Sequence, residues 1–245
     1  MNQPAPTEWL RSFVPLGWAR GDAWTPLGGG VLVLDLPFVW LVTAAAVVQK
    51  AGERPLLAWL PGRPRPQLLD LTQSLQTLGI GWIQHAQEDL AATLLPLDPK
   101  FDVRAFGPSQ CTRIAEVPFL QPVVTLGALY SPEIPSAGQP ALAMLDGLVA
   151  RADEASRRLY TTATLLPRNQ GAPLLLASAH GGPATLAGIL TGNVTLPEAD
   201  PRELPTRLGC AIAIDAALEL LTGAAANQLR QRARDGAPPE RRPDA

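Results

Sequence analysis

Of the 245 residues in this sequence, few can attack a carbon atom or move a proton near neutral pH. There are two histidines, His85 and His180, and two cysteines, Cys111 and Cys210. His180 follows Ser178 by two positions in Ser178-Ala179-His180-Gly181-Gly182-Pro183, so hydrolysis by a serine or by the histidine itself is one chemistry to weigh. Asp89, in Glu88-Asp89-Leu90-Ala91, is a carboxylate in the first half of the sequence. His85 stands four positions before it, which on one extended strand is roughly 13 Å and too far for proton transfer. The cysteines form no C-x-x-C pair, so neither zinc nor dithiol chemistry is indicated. They read as two buried, reduced thiols, with a single long-range disulfide as the alternative. No cofactor or metal site is expected.

The elements that must carry these groups are short. Proline (26) and glycine (21) approach a fifth of the residues, and a proline inside a helix costs about 3 kcal/mol, which argues against a helical bundle. With 47% hydrophobic and 17% charged residues the protein is globular, and at this length roughly 70–75% of its surface can be buried. Gly28-Gly29-Gly30 opens onto an apolar run broken at Leu36-Pro37, which predicts a hairpin buried on both faces. Further strands are predicted at 55–62, 80–87, 111–117, 121–130, 141–151, 157–166, 173–178, 184–192 and 208–214. The spacing of turns predicts an antiparallel barrel or sandwich. After Asp215, read as an N-cap, the period changes to that of a helix with Leu218, Leu221, Ala225 and Leu229 on one face.

Three segments, in order, resemble the active-site signatures of the trypsin-like (chymotrypsin-fold) serine proteases. Val42-Thr43-Ala44-Ala45-Ala46 resembles V-T-A-A-H, Glu88-Asp89-Leu90-Ala91 resembles the D-L-A strand start, and Ser178-Ala179-His180-Gly181-Gly182-Pro183 resembles G-[DN]-S-G-G-P. Val47 stands where animal trypsins have a cysteine, so the likeness is to bacterial, disulfide-poor members. The resemblance implies an all-β fold of two six-stranded antiparallel β-barrels with a C-terminal α-helix. The corresponding division is an N-terminal arm at 1–20, a first barrel at 21–102, a second at 103–214, a helix at 215–234 and a disordered tail at 235–245. Trp9, Trp18 and Trp24 would pack the arm or bind a partner.

The departures decide the functional expectation. Under this resemblance the base position holds Ala46 and the nucleophile position holds His180, so only Asp89 of the triad remains. Loss of base or nucleophile costs on the order of 10⁴–10⁶ in rate. Ser178, Gly181 and Gly182 would form the oxyanion loop, and Leu174 would lie near the floor of the specificity pocket. His180 could also turn inward to meet Asp89 in the space left by Ala46. The expectation is a pseudoprotease that binds a protein or peptide partner. A remodelled hydrolase using Ser178 or His180, and a structural subunit of a complex, are the alternatives. Twenty-two acidic against twenty basic residues give a net charge of −2, which excludes a global attraction to nucleic acid or anionic membranes. No signal peptide or membrane span is read, so a cytoplasmic location is expected.

Overall fold

A computed structural model describes residues 6–20, 23–62, 65–129, 140–166, 168–178, 183–195 and 207–235. Alternation of side chains builds the first half. In β1 (Phe13–Arg20), β2 (Ala23–Asp35) and β3 (Phe38–Thr43), neighbouring residues feed opposite faces of the sheet. Val14, Leu16, Leu32 and Leu41 enter one core, whereas Phe13, Val31, Trp40 and Val42 enter another that is shared with the second half. This two-sided burial matches the scarcity of polar residues in the hairpin at Leu36-Pro37. Adding β4 (Leu57–Leu60), β5 (Gln67–Asp70), β6 (Ile83–Gln84) and β7 (Ala91–Leu94) gives a seven-stranded sheet in the order β5-β4-β1-β2-β3-β7-β6.

The second half is a closed antiparallel barrel of six strands. It consists of β8 (Pro122–Leu129), β9 (Ala141–Asp153), β10 (Arg158–Thr161), β11 (Pro173–Leu176), β12 (Thr185–Thr195) and β13 (Arg207–Ala213). Their order around the barrel is β10-β13-β12-β11-β8-β9. Closure is possible because Gly147 and Gly188 let strands and loops approach: a Cβ at Gly147 would meet Ala163 N, and one at Gly188 would sit 2.7 Å from Ile212 O.

The structure differs from the expectations at several points. Of the two barrels expected, one is closed; the other half is the seven-stranded sheet, with β5 and β6 as its edges among the described residues. Residues 13–20 are not an arm, because β1 lies inside that sheet between β2 and β4. The strand expected at 111–117 is instead an isolated bridge at Cys111 to Leu186 followed by a 3₁₀ turn at Ile114–Glu116. The single helix expected at 215–234 is two, α3 (Ile214–Thr222) and α4 (Ala224–Asp235), with Gly223 between them. Asp215 lies inside α3 rather than capping it, and its carboxylate accepts the amide hydrogen of Ile114 at 2.9 Å. The expected tail beyond residue 235 lies outside the described residues.

Two further short helices, α1 (Ala45–Ala51) and α2 (Leu71–Thr77), belong to the sheet half. α4 returns to that half as well: Arg230 pairs with Asp35 of the β2–β3 hairpin and lies over the Trp40 ring, 5.2 Å from its centroid. Among the described residues no helix is long and apolar enough to cross a membrane.

Candidate functional site

Thr43 ends β3, Ala44 is extended, and the backbone turns into α1 at Ala45. Alanine favours the helix but offers no side-chain acceptor for the free amides of its first turn. The acceptor comes from elsewhere. Ala91 pairs with Thr43 across β7 and β3, so the residue two positions before it arrives beside the start of α1. That residue is Asp89. Its Oδ1 accepts the amide hydrogen of Ala46 at 2.7 Å, and its carbonyl accepts that of Ala45 at 3.3 Å. Residues 46 and 89 are thus neighbours, and the carboxylate has found a backbone donor.

His85 is not on an extended strand with Asp89. The segment folds back, with the amide of His85 donating to Leu90 O at 2.9 Å, so the 13 Å strand spacing does not apply. Its Nδ1 accepts from the amides of Gln87 (3.2 Å) and Glu88 (3.1 Å), which leaves the proton on Nε2 and occupies the nitrogen that could act as a base. Next to it, Glu88 reaches across to the barrel, where Arg158 Nη1 lies 2.7 Å from Oε2.

His180, Gly181 and Gly182 lie outside the described residues. Ser178 is exposed just past the end of β11. Leu174 is fully buried in the barrel core, paired with Thr125 on β8 and Gly188 on β12.

The loop that meets Thr43 and Ala44 is the one before β11, at Arg168-Asn169-Gln170-Gly171. Gly171 has φ +83°, and a Cβ there would collide with Gly29 O and Thr43 Oγ1 and sit 3.0 Å from Ala44 N. The amide of Gly29 donates to Gln170 O at 2.8 Å. The side chain of Gln170 bridges the two halves: Oε1 accepts from Lys50 of α1, and Nε2 donates to Thr191 O of β12 at 2.8 Å. Asn169 is buried beneath the loop, and Arg168 takes the left-handed conformation at φ +66°.

A cavity of 280 Å³ opens beside this loop, lined by Lys50, Leu165, Arg168, Gln170 and Asn193 among others. The site therefore presents a methyl at Ala46, a carboxylate at Asp89 and an amide at Gln170. The methyl is inert and the carboxamide is not a nucleophile of useful strength, and one oxygen of the Asp89 carboxylate is engaged by the Ala46 amide. No group of three or more metal-binding side chains occurs among the described residues. Both cysteines are free thiols, and burial pushes the Cys111 thiol up to about 11, away from reactivity.

Gln170 was not among the expected site residues, although a signal existed. Gly171-Ala172-Pro173 has the same glycine-x-proline shape as Gly181-Gly182-Pro183, one at each end of β11. Strand pairing, rather than local pattern, reveals which end of β11 faces the sheet half.

No protein-family model matches this sequence. No curated protein sequence matches it either. Among solved structures 538 chains match, so the fold is a widely shared scaffold and does not by itself carry an activity. One of them was solved in work on how aromatic interactions drive the coupled folding and binding of the intrinsically disordered Sesbania mosaic virus VPg protein. It has 14% identity with this protein and a TM-score of 0.54, covering 87% of this sequence and 91% of its own. At that identity the likeness is one of fold alone.

Proposed function

We propose that this protein is a catalytically inactive relative of the trypsin-like serine proteases that works as a protein- or peptide-binding module. In this reading the seven-stranded sheet is the first lobe of a two-barrel scaffold and the closed barrel is the second. The observation that carries it is the 2.7 Å contact between Asp89 Oδ1 and the Ala46 amide. One oxygen of the carboxylate that would orient a catalytic imidazole caps a helix, and the residue at 46 offers no imidazole for the other to orient. The facing loop gives further support. Arg168-Asn169-Gln170-Gly171-Ala172-Pro173 resembles G-[DN]-S-G-G-P, lies against Thr43 and Ala44, and carries glutamine in the serine's place. A carboxamide can donate and accept hydrogen bonds but cannot complete acyl transfer.

A serine-directed fluorophosphonate probe tests the reading on the full-length protein. The natural protein should remain unlabelled. Ala46→His combined with Gln170→Ser should acquire labelling, because the substitutions restore a base beside Asp89 and a hydroxyl on the loop that faces it. Ala46→His with His180→Ser should not. Labelling of the natural protein that is lost in Ser178→Ala would overturn the inactive assignment in favour of a remodelled hydrolase. Labelling of the His180→Ser pair alone would move the nucleophile position from residue 170 to residue 180.

A further inference from the structure

The cavity beside Gln170 has a charge pattern of its own. Its charged lining residues are Lys50, from α1 of the sheet half, and Arg168, from the loop before β11; among the described residues no acidic side chain lines it. Neither cation has an acidic partner among the described residues. Lys50 donates only to the uncharged Oε1 of Gln170, and Arg168 has no ion-pair partner among the described residues. Several arginines elsewhere are ion-paired, among them Arg157 with Glu219, Arg158 with Glu88 and Arg230 with Asp35, whereas Arg65 and Arg232, like Arg168, have no ion-pair partner among the described residues. Two cations with no acidic partner among the described residues thus line one cavity, in a protein whose net charge is −2.

The backbone adds an independent observation. Arg168 sits at φ +66°, a region that glycine enters freely and side-chain-bearing residues enter at a cost. The strain is tolerated at the loop position that places a guanidinium at the cavity rim. Around it stand neutral amides, Gln170 and Asn193, and the apolar side chains Leu165 and Leu166. A guanidinium fork, an ammonium group and amide donors around a cavity of 280 Å³ suit a carboxylate on a short apolar stem.

We infer that this cavity receives a carboxylate from the bound peptide or protein partner. This rests on the peptide-binding function proposed above and specifies what that partner must present. Either a glutamate-type side chain or the partner's free C-terminus would supply the group, and a binding experiment separates them.

The probes are alanine-rich hexapeptides carrying a neutral fluorophore. One has an internal glutamate and an amidated C-terminus, and its counterparts have glutamine or lysine at that position. A further all-alanine peptide has a free C-terminal carboxylate. Fluorescence polarisation on the full-length protein should show a carboxylate-bearing probe binding about tenfold more tightly than the glutamine probe, the scale of one charge-assisted contact. The preference should shrink when salt is raised from about 20 to about 200 mM. Whether the glutamate or the free C-terminus is preferred identifies the source. Lys50→Gln with Arg168→Gly should erase the preference, bringing the affinities of the glutamate and glutamine probes together whatever their absolute level. Glycine suits the backbone at 168, so the loop keeps its shape in that variant. Equal binding of glutamate and glutamine probes, or a preference that survives the double substitution, overturns the carboxylate assignment and leaves peptide binding standing. Failure of every probe to bind overturns both.

Discussion

Asp89 caps a helix that belongs to a different stretch of sequence: its Oδ1 accepts the amide hydrogen of Ala46 at 2.7 Å across 43 residues. The helix cannot cap itself, because Ala44 at its N-cap position has no acceptor. One carboxylate thus holds the first turn of α1 and ties the β6–β7 turn to the end of β3.

A cap of this kind has a measurable contribution. Asp89→Ala should lower stability by about 1 kcal/mol, the usual cost of removing a helix N-cap acceptor. Asp89→Asn keeps an acceptor oxygen and should cost only a few tenths of that. Urea denaturation at neutral pH separates the two. Equal losses for alanine and asparagine would mean that the charge, rather than the capping bond, is what matters.

Gly171 gives a sharper outcome. Alanine there combines a positive φ with a collision against backbone and Thr43, so Gly171→Ala should cost more than about 3 kcal/mol or abolish folding. Gly79 is the control. It also has a positive φ, +63°, just after α2, but a Cβ would meet nothing within 4 Å. Gly79→Ala should cost about 1 kcal/mol, the conformational penalty alone. Thermal melts of the two variants give the comparison directly.

The buried thiol makes a prediction about pH. Burial raises the Cys111 thiol from an ordinary value of 9.0 to about 11 in the folded protein. Between those values the unfolded state has lost the proton while the folded state keeps it, so the folded state binds more protons. Its contribution to stability is therefore full below about pH 9 and falls as pH rises toward about 11. Cys111→Ala removes this dependence. Urea midpoints of the parent and the variant, compared at pH 7.5 and about pH 10.5, should show the steeper decline in the parent. Parallel declines would place the thiol in a more open setting.

Much of the fold follows from local pattern. The apolar runs separated by glycine and proline locate β2, β3, β4 and β8 to β13, because strands in a two-sided core have no need for polar alternation. The stretch 111–117 misleads for a reason: its isolated apolar residues Ile114, Ala115 and Val117 fit a short strand and a 3₁₀ turn equally well. α1 and α2, at seven residues each, are too short for a helical period to emerge, and their stability comes from packing and from the caps at Asp89 and Asp70. Gly223 divides the C-terminal helix and lets α4 turn back so that Arg230 reaches Asp35.

By itself the sequence determined the strand-rich architecture and the absence of an imidazole at residue 46, while strand pairing brought Asp89 beside Thr43-Ala44. It could not determine which turn faces them. Gly171-Ala172-Pro173 and Gly181-Gly182-Pro183 flank the same strand and are locally near-equivalent. β11 runs antiparallel to both β8 and β12, and that long-range pairing fixes its direction in the barrel and brings Gln170, with Lys50 and Arg168, to the junction of the two halves. A residue's identity is written in the sequence, but its neighbours are set by hydrogen bonds between residues far apart along it, and only the tertiary structure decides those.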